Sequence, residues 1–151
     1  MNVIFIIIWL LVVGFFHSLL ELEIEGREIQ GGWARFLPTK RIKNKMTMFL
    51  IHKEITLYHI LTILLFISLF HGAFIFKKWS INDEIKLFGY LCFYFVWEDF
   101  CWFLCHPKFR LKNFRKGKID WHTKWVFNFL PVSYVWGIIV GVILLYLGGL
   151  K

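Results

Sequence analysis

The sequence predicts an all-α integral membrane protein: an up-and-down four-helix bundle with both termini extracytoplasmic. Three observations predict it. Four apolar segments each come close to the about 20 residues that a helix needs to cross a bilayer core. Hydrophobic residues make up 58% of the chain, above the roughly 45–50% of soluble domains. A soluble fold of 151 residues could not hide them, so one membrane domain is expected. Finally, the basic residues gather in alternate loops.

The first span covers residues 2–20, NVIFIIIWLLVVGFFHSLL. It has no positive leading segment and no A-x-A-like cleavage site, so it reads as a retained span and not a signal peptide. The second covers 55–76 and the third 87–105. The fourth covers 125–150, with Pro131 as an expected kink near one end. No internal repeat or low-complexity tract interrupts them. Cys92, Cys101 and Cys105 all fall in the third segment without a CxxC, and read as reduced thiols.

Fourteen of the eighteen Lys and Arg lie in the first and third loops. The positive-inside rule then places those loops in the cytoplasm. The net charge of +8 therefore reports topology. The spans leave no soluble basic face, so a nucleic-acid partner is not expected. The first loop carries Gly31-Gly32, Pro38 and the basic stretch TKRIKNK. The third interleaves Lys and Arg with Phe109, Leu111, Phe114 and Ile119, a pattern that suits a segment lying on anionic lipid. Membrane lipids are the expected partners, and Arg27, Arg35, Lys40, Arg41 and Arg110 are candidates to hold an anionic head group. The 18 Phe and 8 Trp are compatible with a homo-oligomer or a membrane partner.

This topology concentrates polar chemistry at the cytoplasmic end. Five of the six histidines and eight of the ten acids fall there. Within the third span, VWEDFCWFLCHP (residues 96–107) places Glu98 and Asp99 side by side among aromatics. A charge at the centre of a membrane helix costs about 2.5–3.5 kcal/mol, so both carboxyls need partners. His17 and Glu21 are four residues apart and share a helix face. His17, Glu21, His59 and Glu98 are the candidate metal ligands, with Asp99, Asp120 and His122 as catalytic or proton-moving groups. The competing reading is an ion-pair network, with Arg27, Arg35 or Lys124 neutralising Glu98 and Asp99. Tyr58, Tyr94, Trp97 and Trp102 are within plausible reach as hydrogen-bond partners. His52 and His106 are expected to face head groups, and His71 lies at the far end.

Carboxylate and imidazole drawn from several helices form the donor set of iron and manganese sites in helical bundles, so those metals are favoured. Zinc takes the same ligand types and comes second. A haem between His17 and His59 ranks lower, and no CxxCH is present. GxSxG, Walker A and dinucleotide motifs are missing. Ser18, Ser68, Ser80 and Ser133 have no His–Asp constellation beside them in the sequence. The reading is a small membrane metalloenzyme, an oxidoreductase acting on a lipid or lipid-borne substrate, with zinc implying hydrolysis instead. A proton or cation transporter and a non-catalytic assembly subunit are the alternatives. The setting is the plasma membrane of a prokaryote, with the site facing the cytoplasm.

Overall fold

A computed structural model describes residues 3–27, 32–42, 55–109 and 111–149. Among these residues the chain is mostly helical. It contains α1 (Val3–Glu25), α2 (Leu57–His71), α3 (Ile81–Cys105) and α4 (Val132–Leu147). Two short antiparallel ribbons accompany them: β1 (Arg41–Ile42) with β2 (Ile55–Thr56), and β3 (Trp125–Val126) with β4 (Leu130–Pro131). The helices α1 and α3, and α2 with its 3₁₀ extension to Ile75, are long and apolar enough to cross a membrane; α4 is a shorter apolar helix.

Local chemistry sets the helix ends. α1 runs five residues past the expected boundary and stops where Gly26 takes φ +87°, its N–H closing onto the Leu22 carbonyl. α2 starts at Thr56, whose side chain accepts from the His59 amide. α3 starts at Ile81 and not near 87, because Ser80 caps it: Ser80 Oγ accepts from the Asp83 amide. Asp83 and Glu84 in the first turn complement the positive helix end. α4 starts only at Val132. Pro131, expected as a kink, is the residue before the helix, and residues 125–131 form a hairpin.

α3 sits between α1 and α4. Its buried residues Leu87, Leu91, Tyr94, Glu98 and Cys101 recur every three or four positions, a single stripe on a helix. α4 runs antiparallel to it. Gly141 packs against Phe93 and the Gly89 carbonyl, and Gly137 against Val96. Small residues let membrane helices approach closely, and a Cβ at Gly137 would stand 2.6 Å from Val96 Cγ2. α1 packs on the other side, with Gly14 against the Trp97 ring and the Trp97 indole donating to the Leu11 carbonyl at 3.0 Å.

Two apolar clusters result. One joins Leu10, Phe70, Leu87, Leu91 and Tyr94. The other joins Leu22, Trp102, Phe103, Phe109 and Ile119. The second bears on the third loop. Phe109 and Ile119, expected on the lipid surface, are buried, and only Leu111 of the four apolar loop residues is exposed. These side chains close the end of the helix layer because their area is removed from water there.

Candidate metal centre and adjoining cavity

His17, Glu21 and Glu98 converge. Each offers a ligand atom, and the three atoms lie within 4.8 Å of one another. His17 Nε2 is 4.0 Å from Glu21 Oε1, and His17 Nδ1 is 3.8 Å from Glu98 Oε1. The group could hold a metal ion. Metal bonds to nitrogen or oxygen run about 2.0–2.2 Å, so the three groups would have to turn inward to bind an ion and would supply only part of its ligand shell.

Neighbouring side chains orient these ligands. Tyr94 Oη lies 3.0 Å from His17 Nδ1, and Phe66 packs at a tilt against the imidazole at 4.2 Å, so the ring is held with Nε2 toward Glu21. Tyr58 donates to Glu21 Oε1 at 3.0 Å. Glu98 differs: it is 5% exposed, and its Oε1 has no hydrogen-bond partner among the described residues. A buried acceptor left unmade costs about 1–3 kcal/mol, and the Glu21 carboxyl hydrogen-bonds Glu98, so a proton or a cation can sit between the two carboxyls.

His59 lies apart from this group. Its Nδ1 is 2.6 Å from Thr56 Oγ1 and its ring stacks on Trp33 at 4.1 Å. It still lines the same cavity, a cleft of about 410 Å³ that also includes Glu25, Asp99, His122 and Ser133. Asp99 and His122 are brought together, with His122 Nε2 3.1 Å from Asp99 Oδ2. Tyr134 donates to the same carboxylate oxygen.

Asp120 is placed elsewhere. It is exposed and lies 3.5 Å from Arg35. Arg27, also exposed, pairs with Glu23. Arg27 and Arg35, weighed as neutralising partners for Glu98 and Asp99, are thus engaged with other acids. Arg41 donates to the carbonyls of Ala34 and Arg35, at 3.0 and 2.8 Å. Lys40 is exposed, and its carbonyl accepts from the Leu57 amide. Arg110 and His52 lie outside the described residues. His106, expected at head groups, is buried. Its Nδ1 accepts from the Phe109 amide at 3.0 Å, and Trp102 packs on its ring, so it closes the end of α3. His71 is at the far end, 2.7 Å from Glu84 Oε1.

Gly32 and Trp33 line the cavity from the turn at residues 32–37. Trp33 and Ala34 hold φ of 60° and 52°, the left-handed region that costs non-glycine residues about 1–3 kcal/mol. The Ala34 amide donates to Glu25 Oε1 at 2.5 Å, Arg41 holds the Ala34 carbonyl, and Gly32 lies flat against Trp121. Sequence reasoning missed Glu25 in this role, although His17, Glu21 and Glu25 are spaced by four along one face of α1. It also missed Ser133 and Tyr134, for which no local signal exists.

Comparison with known protein families, with curated proteins and with solved structures finds no match.

Proposed function

We propose that the chain is a small integral membrane metalloenzyme, acting on a lipid or lipid-borne substrate at the His17–Glu21–Glu98 centre. The carrying observation is the Glu98 carboxyl oxygen: buried, without a hydrogen-bond partner among the described residues, and 3.8 Å from His17. An ion supplies the partner that this oxygen lacks. The donor set of one imidazole and two carboxylates favours iron or manganese, with zinc second. Iron or manganese would serve oxidation of the substrate, and zinc would serve hydrolysis through an activated water. The cavity beside the centre is largely apolar in its lining, with Ile63, Phe95 and Val96 among its walls, which suits a lipid chain entering between helices. Exposed Lys108, Lys112, Arg115, Lys116 and Lys118 would meet anionic head groups. In this reading the helices form an up-and-down bundle, with both termini outside and the centre just below the cytoplasmic surface.

The test is metal content, by mass spectrometry, of detergent-purified full chain loaded in turn with iron(II), manganese(II) and zinc(II). We expect close to one ion per chain for one of these metals. Glu98→Gln should lose it, while His71→Gln at the far end should keep it. A folded chain that retains none of the three, or a Glu98→Gln variant that retains as much as the parent, would overturn the proposal.

A further inference from the structure

The cavity holds a second constellation that the metal does not use. His122 stands between a serine and an aspartate: Ser133 Oγ is 3.4 Å from His122 Nδ1, and Asp99 Oδ2 is 3.1 Å from His122 Nε2. From the sequence, Ser133 is expected to have no His–Asp constellation beside it, and the structure corrects that. As one continuous helix, the eleven residues from His122 to Ser133 would span about 16 Å. The hairpin of β3 and β4 folds the chain back instead. Phe127 and Asn128 take φ of 49° and 65°, Val126 pairs with Leu130, and the Val132 amide donates to the Lys124 carbonyl at 3.0 Å. The first turn of α4 thereby lands over His122.

We infer that Ser133 is a nucleophile for acyl transfer, with His122 as its general base and Asp99 as the positioning residue, and that the substrate class is an ester-linked lipid. Three further features of the site support this. His122 is buried and held by its surroundings, its carbonyl accepting from the Trp125 indole at 2.6 Å. Asp99 accepts from His122 Nε2–H and from the Tyr134 hydroxyl, which fixes the tautomer that leaves Nδ1 open to the Ser133 proton. Ser133 itself is exposed and lines the cavity, so a substrate carbonyl can reach it.

Ser133 and Tyr134 also belong to the first turn of α4, whose amides have no intrahelical acceptor, and Pro131 offers no capping side chain. In this proposal the Ser133 and Tyr134 N–H groups and the positive helix end would serve the oxyanion, while the Val132 amide is held by the Lys124 carbonyl.

The step balances without a co-reactant other than water. Ser133 Oγ adds to the ester carbonyl carbon while its proton passes to His122 Nδ1. The tetrahedral intermediate collapses, the carbon–oxygen ester bond breaks, and His122 returns the proton to the departing alkoxide. Water then attacks the acyl-serine with His122 again as base, releasing the fatty acid and restoring Ser133. A metal at Glu98 takes no part in these steps, so the inference stands apart from the metal proposal.

The test is labelling of the detergent-purified full chain with a long-chain alkyl fluorophosphonate, in the presence of a chelator, followed by peptide mass spectrometry. The chelator separates the two proposals: labelling without metal supports the nucleophile whatever the metal content proves to be. We expect an adduct on the peptide carrying Ser133, absent in Ser133→Ala and at least tenfold slower to form in His122→Gln. A second variant keeps the inference testable if His122→Gln fails to fold. In Ser133→Cys, iodoacetamide should alkylate position 133 at least tenfold faster than Cys92, Cys101 or Cys105. A folded chain that takes no label at Ser133, a label that His122→Gln leaves unchanged, or an engineered thiol no more reactive than the other three would overturn the inference.

Discussion

At the scale of single residues, the site is built from groups whose cost is visible in the fold. Glu98 is the clearest. A carboxyl oxygen buried without a partner among the described residues destabilises the metal-free chain. Glu98→Met replaces it with an apolar side chain of similar length. The metal-free variant should therefore melt at a higher temperature than the metal-free parent, by an amount corresponding to about 1–3 kcal/mol, and should bind no metal. Differential scanning fluorimetry in detergent, with and without chelator, reads both effects. A lower melting point in the chelated variant would mean that Glu98 is satisfied in the resting protein. Tyr94 makes a second case. Its hydroxyl orients His17 from 3.0 Å, and removing such an outer partner commonly weakens metal affinity by about 10–100-fold. Tyr94→Phe should show that loss in a metal titration while its melting point in chelator moves little. His17 and Glu21 were legible because spacing of four on a helix is a local property. Their meeting with Glu98 depended on how α1 packs against α3, which no single segment encodes.

At the scale of elements, close helix contact at three glycines positions the centre. Gly137 and Gly141, four apart on α4, lie against Val96 and Phe93 of α3, and a Cβ at Gly89 would stand 3.1 Å from the Gly141 carbonyl oxygen. Gly141→Leu would drive a branched side chain into Phe93, whose ring carbon already lies 2.8 Å from the Cβ position. Overpacking of this kind costs about 1–3 kcal/mol, so the variant should lose that much stability in a denaturant titration. Because Tyr134 sits on the same helix and donates to Asp99, it should also slow fluorophosphonate labelling of Ser133. Unchanged stability would show that α3 and α4 separate without cost. The hydropathy of α1 to α3 is a property of each segment alone, which is why those spans were legible. The start of α4 was not. The run WVFNFLP is apolar enough to read as helix, yet Pro131 lacks the N–H that a helix interior needs, and Asn128 accepts the left-handed conformation that a turn requires. Reading that proline as a kink and not as a boundary hid the hairpin, and with it the approach of Ser133 to His122.

At the scale of the whole molecule, polar chemistry and apolar surface divide along the helix axes. The centre at His17, Glu21 and Glu98 and the Asp99–His122–Ser133 array share one end of α1, α3 and α4. At the other end, α1, α2 and α3 enclose a cleft of about 520 Å³ walled by residues such as Phe5, Trp9, Phe70 and Leu87. Its charges come from Lys77, Asp83 and Lys86, with Asp83 Oδ2 2.6 Å from Lys77 Nζ and Asp83 Oδ1 2.8 Å from Lys86 Nζ. Sidedness then fixes where substrate would meet the polar end. Each Lys or Arg near an anionic cytoplasmic leaflet contributes about 1 kcal/mol, and the loops flanking the polar end carry fourteen of them against four on the rest of the chain. That asymmetry should hold the chain in one orientation. Alkaline phosphatase fused after Lys151 should be active, and green fluorescent protein at the same place dark. Fusions after Lys118 should give the reverse pair. If the pairs are exchanged, the polar cavity opens on the outer surface, and any lipid substrate must be drawn from the outer leaflet. If both reporters work at both positions, the basic loops do not set orientation, and the chain inserts both ways.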